Sequence, residues 1–209
     1  MTTATPAIRK GRKFDQVLEG ARTVFLRDGF EGASVDDITR QAGVSKATLY
    51  SYFPDKRLLF LAVAKAECHR QADEALQVID QTAPPGAVLT AAAHRMVGFF
   101  MSDFGVKVYR ICVAESDRFP ELGREFYQSG PLLLRQRLAE YLRGAVARGQ
   151  LAISDIDLAA DQFAELCKVT LHNRAMFGIT PCCAPGEVQR TIDGAVEMFM
   201  ARYGEKPAA

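Results

Sequence analysis

The chain has no C-x-x-C pair among its five cysteines, no clustering of its three histidines, no phosphate-cradling glycine loop and no nucleophile motif. Without closely spaced Cys and His there is no zinc-ligand pattern, and without a glycine-rich turn opening a helix there is no backbone cradle for a nucleotide. An enzyme reading has no positive clue, and neither a cofactor nor a metal is expected. Cys68, Cys112, Cys167, Cys182 and Cys183 leave an odd thiol over, so free thiols in a reducing compartment are expected. Long apolar runs are also missing. The longest, Leu58 to Ala64, is far short of the roughly 20 residues that span a bilayer, and Met1 to Lys13 has no apolar core of a secretory signal. The expectation is a cytoplasmic protein with no membrane partner.

Charge of one sign is scarce overall: 26 Lys/Arg against 25 Asp/Glu give a net +1. The distribution is uneven. Residues 1–60 hold 10 of the 26 cations and 7 of the 25 anions, a local excess of +3, which leaves −2 for the remainder. Arg9, Lys10, Arg12 and Lys13 come before the first acidic residue. Such an arm suits a polyanion backbone or a minor groove, and equally an ordinary solvated terminus.

Strand alternation is absent throughout, and helical periodicity takes its place. A first helix is expected from about Lys13 to Arg27, with Phe14, Val17, Leu18, Ala21, Val24 and Phe25 on one face and Asp28-Gly29 closing it. A long helix is expected over 55–82, about 35–40 Å at 1.5 Å per residue, stopped by Pro84-Pro85. Further helices are read at about 86–101, 106–116, 121–128, 132–148, 156–177 and 186–202, between Gly and Pro breakers. With 48% hydrophobic residues, 209 positions suffice for a small head and a larger second domain.

Between the first and the long helix lies the densest local signal, Ser34 to Lys56, SVDDITRQAGVSKATLYSYFPDK. Ser34 can cap a helix of about 35–42 with Asp37 in its first turn. Gly43 can end it in the left-handed conformation, Val44 plugs the corner, and Ser45 caps a second, two-turn helix. Leu49 and Phe53, four apart, face inward toward Ile38. Lys46, Ala47, Thr48, Tyr50, Ser51 and Tyr52 remain for the outer face. A cation, hydroxyls, phenols and one small residue permitting close approach suit phosphates and base edges in a major groove. Pro54 then ends the second helix and Asp55 caps the long one. Lys56 and Arg57 stand at its positive end, where an external phosphate, or pairing with Asp55, would relieve them.

These residues resemble the helix-turn-helix of TetR-type transcriptional regulators. Ala42-Gly43-Val44-Ser45, Thr48-Leu49-Tyr50, Tyr52-Phe53 and Lys56 carry the likeness, and Ala21, Phe25, Gly29, Phe30, Leu58, Leu59 and Phe60 extend it over the first third of the chain. The resemblance implies that Lys46 to Ser51 enter the major groove and that Ser34, Tyr50, Tyr52 and Lys56 hold phosphates. Ala47 and Arg57 depart mildly from the family pattern. Tyr109 to Pro131, the later Gly149-Gln150-Leu151 and the two final helices resemble the C-terminal domain of the AefR-like branch.

The reading that follows is an all-α chain. Residues 10–56 form the DNA-binding head, completed by the start of the helix at 55–82, and 57–209 form an effector-binding and dimerisation domain. Dimerisation is expected on stripes of the last two helices, Phe163, Leu166, Thr170 and Phe177 on one and Val188, Ile192, Val196 and Phe199 on the other; burial within the monomer is the alternative. An effector pocket is expected from Met96, Phe99, Phe100, Tyr109, Cys112, Phe126, His172 and Met176, most of which must also serve as core. His172, Asn173 and Arg174 interrupt an apolar helix and either recognise a ligand or line a water-facing edge. The expected function is that of a homodimeric repressor on a palindromic double-stranded operator, released by a small, largely apolar effector. An activator, a thiol sensor of the same fold, and a helical ligand-binding protein without DNA remain the alternatives.

Overall fold

The computed structural model describes residues 11–78, 82–179 and 184–205, and it is helical throughout. The elements are α1 (Arg12–Gly32), α2 (Val35–Ala42), α3 (Lys46–Tyr52), α4 (Lys56–Val78), α5 (Pro85–Phe100), α6 (Asp103–Glu115), α7 (Pro120–Ser129), α8 (Pro131–Ala147), α9 (Ile156–Met176) and α10 (Pro185–Tyr203). Proline opens α5, α7, α8 and α10, where its missing N–H would have had no partner in any case. Among the described residues the strand-like pairing is a lone antiparallel bridge, Leu151 to Gly204, which pins the end of α10 to the α8–α9 turn.

The first helix differs from expectation at its end. Asp28-Gly29 kinks α1 without closing it: Gly29 sits at φ 70°, and the helix resumes to Gly32. The kink turns Phe30 back onto Phe25 and Phe60, with ring centroids 6.1 and 5.0 Å apart. The long helix runs Lys56–Val78, about 35 Å at 1.5 Å per residue.

Two apolar cores organise the helices. One holds Phe14, Val17, Val24 and Phe25 of α1, Ile38 of α2, Leu49 of α3 and Leu59, Phe60 and Val63 of α4, together with Phe104, Val108 and Cys112 of α6 and Leu122 of α7. The other joins α5, α8, α9 and α10 through Leu89, Met96, Leu142, Phe163, Leu171, Ile192 and Phe199. The seam falls within α5, since Phe99 packs on the first core and its neighbour Phe100 on the second. Helix α6 thus shares its core with the N-terminal helices.

Buried charge ties α1 to α4. Glu67 is 4% exposed, and it accepts from Arg22 Nε at 2.9 Å and from Arg70 Nε at 3.1 Å. Arg57, at the start of α4, donates to both Asp55 carboxylate oxygens and to Glu115 of α6 at 2.7 Å.

Candidate nucleic-acid interface

The corner at Ser34 to Phe53 is built by its backbone caps. The Ser34 hydroxyl oxygen accepts from Asp37 N at 3.0 Å, and that hydroxyl with Arg40 holds the Asp37 carboxyl below the usual carboxylate range. Gly43 adopts φ 64°, ψ 37°. Its N–H donates to Arg40 O, and the Val44 N–H donates to Thr39 O at 3.1 Å, the two bonds of a Schellman ending. Ser45 accepts from Thr48 N at 3.1 Å and starts α3 at once. Leu49, Phe53 and Ile38 are buried together, so the orientation of α3 follows from one apolar contact and three capping groups.

That orientation exposes Lys46, Ala47, Tyr50 and Ser51, and Ser34 at the start of α2 is exposed as well. Tyr50 is 47% exposed. Thr48 is half-buried with its hydroxyl 2.9 Å from that of Ser45, and Tyr52 is half-buried, edge-on to Phe14 at 5.6 Å. Lys46 pairs with Asp36 at 2.6 Å, and that carboxylate raises its pKa. Both partners are well exposed, so a phosphate can take the place of Asp36. Arg12 is exposed at the start of α1, whereas Arg9 lies outside the described residues.

Lys56 differs from the expected phosphate ligand, while Arg57 takes the alternative, pairing with Asp55. The Lys56 ammonium turns inward, donating to Phe30 O at 2.8 Å and Ala33 O at 3.1 Å and lying 4.4 Å from the Phe30 ring centroid. Carbonyls at the end of α1 supply the negative charge that its place at the head of α4 demands, and no outside phosphate is needed. Arg57 is likewise committed to Asp55 and Glu115, which raise its pKa, and its guanidinium lies 5.2 Å from the Phe119 ring centroid.

Replacing Ser45 with alanine should cost about 1 kcal/mol in urea denaturation, because Thr48 N–H loses its acceptor, whereas Ser45→Gly should cost only a few tenths. Equal losses would show that the cap bond is not what starts α3.

The matches to known proteins follow this geometry. The tetR family model of bacterial regulatory proteins matches residues 17–63, and the model of the AefR-like transcriptional repressor C-terminal domain matches residues 87–205, more than half of the chain. The chain belongs to the TetR family. A TetR-family transcriptional regulator from Mesorhizobium loti superposes with a TM-score of 0.80 at 28% identity, covering 94% of this chain and 99% of that one. The flavonoid-responsive regulator FrrA superposes with a TM-score of 0.69 at 36% identity, covering 96% of this chain and 100% of that one. The transcriptional repressor AcnR of Corynebacterium efficiens is 40% identical over 58 residues, 28% of this chain and 31% of its own length. This TetR-family regulator thus spans only about a third of the curated relatives it matches. Among its described residues no helix is long and apolar enough to cross a membrane.

The expected effector residues divide between the two cores of this TetR chain. Met96 at 7% exposure and Cys112 at 2% are buried core, one in each, and they are close-packed where lining was expected. The others are half-buried or exposed. Tyr109 of α6 stands edge-on to His172 of α9 at 4.9 Å and to Phe126 of α7 at 6.0 Å, and Phe99, Phe100 and Met176 are half-buried. Burial and then Lys168 hold the His172 pKa below its ordinary value, which keeps the ring neutral at pH 7. Of the other two polar residues in that run, Asn173 is exposed and Arg174 pairs with Glu187 at 3.0 Å.

The expected dimer stripes also need correction. Phe163, Ile192 and Phe199 are at most 2% exposed and belong to the second core. Leu166, Val188 and Val196 are half-buried against it, while Thr170 is exposed and Phe177 is 81% exposed. The outer face of α9 and α10 instead presents Leu158, Val169 and Met198 at 50%, 52% and 62% exposure. Leu166, Val169 and Met198 line a groove of about 490 Å³ there. A break at Val169 interrupts α9 in the middle of this face.

Burial pushes the thiols up, to about 11 at Cys68 and to about 12 at Cys112 and Cys167. Thiols held that high are protonated at neutral pH and poor nucleophiles. Cys182 and Cys183 lie outside the described residues.

Proposed function

We propose that the chain is a homodimeric transcriptional repressor whose two heads read the half-sites of a palindromic operator and let go when a small aromatic effector enters the seam between the cores. The observation that carries the DNA reading is the outer face of α3: Lys46, Ala47, Tyr50 and Ser51 exposed on a helix whose start and tilt are held by Ser45, Gly43 and Leu49. Residues 10–56 are assigned to reading and 57–209 to sensing and pairing. Ser34, Thr48, Tyr52 and Arg12 complete the contact set, with Lys46 and Thr48 toward base edges and Arg12 on the backbone. Arg9 extends the same arm. Lys56 acts by bracing the end of α1.

Two copies meeting on Leu158, Leu166, Val169 and Met198 would set the reading helices about 34–36 Å apart, one turn of DNA. The aromatic lining at Tyr109, Phe126 and His172 supports a planar aromatic effector, as does the full-length likeness to a regulator that responds to flavonoids. Among the described residues, the protonated thiols of Cys68, Cys112 and Cys167 favour a ligand over a thiol signal.

Selection from a random duplex pool tests the reading, and the wild-type chain should enrich a palindrome. In anisotropy titrations, Arg12→Ala should weaken all sequences alike and reduce the salt slope by about one, whereas Lys46→Ala and Thr48→Ala should change which base pairs are preferred. No enrichment by the wild type would end the DNA reading. Enrichment unchanged by both α3 substitutions would move the base contacts elsewhere.

A further inference from the structure

The corner that carries the reading face has no net charge. Its charged residues between Ser34 and Phe53 are Asp36, Asp37, Arg40 and Lys46, two of each sign, so the +3 excess of residues 1–60 lies outside it. Each cation is matched to a carboxylate of α2. Arg40 donates to Asp37 at 2.7 Å within that helix, whereas Lys46, the first residue of α3, reaches across the corner to Asp36 at 2.6 Å. Asp37 has a second role, since its carboxylate also accepts from the Ser34 hydroxyl at 2.6 Å, beside the cap. Asp36 has none: among the described residues its carboxylate pairs with Lys46 alone.

The N-terminal residues of a recognition helix are those that meet base edges. An untethered lysine serves poorly there, because its ammonium is a point charge on a flexible four-carbon stem and any phosphate within reach satisfies it. Asp36 takes one of the three N–H groups and leaves two for a base acceptor. A phosphate that draws Lys46 away leaves that carboxylate, 63% exposed, unpaired beside a polyanion, where like charges repel. Resting on the DNA reading above, we propose that Asp36 is a positioning residue for sequence recognition: it holds the Lys46 ammonium for a base-edge acceptor and keeps it from phosphates. The pair enters the groove whole. Lys46 then adds specificity without adding to the affinity for every sequence, and the salt dependence comes from Arg12 and the other cations outside the corner.

The experiment uses the full-length chain, the duplex enriched by the wild type and a random duplex of equal length, in anisotropy titrations over a range of salt concentrations. Lys46→Ala locates the base pair that Lys46 reads. Asp36→Asn, which keeps the shape and removes the charge, should abolish most of the preference at that base pair. It should also tighten the random duplex roughly fivefold to tenfold at about 0.1 M salt and steepen its log–log salt slope by about 0.9, the mark of one added phosphate contact. Asp36→Glu, which keeps the charge, should leave the slope at its wild-type value. In the Lys46→Ala background Asp36→Asn should leave the slope unchanged, because no ammonium is there to release. Equal tightening and steepening in both backgrounds would show a general repulsion in place of positioning and would overturn the proposal. So would an Asp36→Asn protein with wild-type preference and slope, or a Lys46→Ala protein with unchanged base preference, each leaving the DNA reading standing. A wild type that enriches no sequence would take down both.

Discussion

Replacing Glu67 with glutamine is expected to lower stability by about 2–4 kcal/mol, roughly 5–15 °C in melting temperature for a chain of this size. Glu67 is 4% exposed and faces two guanidinium groups, with Arg22 Nε at 2.9 Å and Arg70 Nε at 3.1 Å. A carboxylate offers acceptors in both directions; an amide turns one of them into a donor pointing at another donor. Removing one member of a buried ion pair commonly costs about 3–5 kcal/mol, and the lower figure here reflects that Arg22 and Arg70 reach water and can rehydrate. The loss should appear at the α1–α4 joint. Arg22→Ala combined with Glu67→Gln should therefore cost clearly less than the two single losses added together. Urea denaturation of the four proteins measures the coupling, and strict additivity would show that Arg22 and Glu67 do not act as a pair.

Gly20→Ala should also destabilise, against the usual rule for glycine within a helix. Alanine at such a position ordinarily gains about 1 kcal/mol by helix propensity. Here a Cβ would lie 2.6 Å from Ala42 Cβ and 2.7 Å from Ala42 Cα and N. Two of those atoms are backbone of α2, so relief requires moving the helix. Overpacking of this kind costs about 1–3 kcal/mol, which outweighs the propensity gain, and valine should be worse. Because α2 sets the corner from which α3 projects, DNA affinity should fall by more than stability alone accounts for. Calorimetry and anisotropy on Gly20→Ala decide it. A stabilised protein with unchanged DNA binding would mean that α1 and α2 can separate freely.

Much of the local design is legible one residue at a time. Ser34, Gly43 and Ser45 could be read as caps and a stop because capping depends on backbone groups two or three residues away. The inward turn of Leu49 and Phe53 was equally legible, since helix periodicity alone separates their face from that of Lys46 and Tyr50. Gly29 was harder. Its positive φ was foreseeable, but whether the helix ends or resumes after the kink depends on Phe30 finding Phe25 and Phe60, the latter thirty residues on in the chain.

Long-range choices were not legible. Lys56 looked like a phosphate ligand because it stands at the positive end of a helix, yet its partners, Phe30 O and Ala33 O, are 26 and 23 residues earlier. The apolar stripes of α9 and α10 misled for a related reason. Both helices carry apolar residues on more than one side, and periodicity cannot say which side meets the core. Packing against α5 and α8 chose Phe163, Ile192 and Phe199 for burial and left Val169 and Met198 outside. The clamp at Glu67 was equally hidden, its α1 partner lying 45 residues away.

By itself the sequence determined that the chain is helical, roughly where most of its helices lie, and that a capped helix-turn-helix presents Lys46, Tyr50 and Ser51. Those properties rest on interactions within a few residues, which composition and spacing record directly. Only the tertiary structure decided that α6 shares a core with the head, which face of α9 and α10 is free, and that Lys56 braces α1. Each of these depends on which distant surfaces meet, and that is set by the packing of the helices against one another.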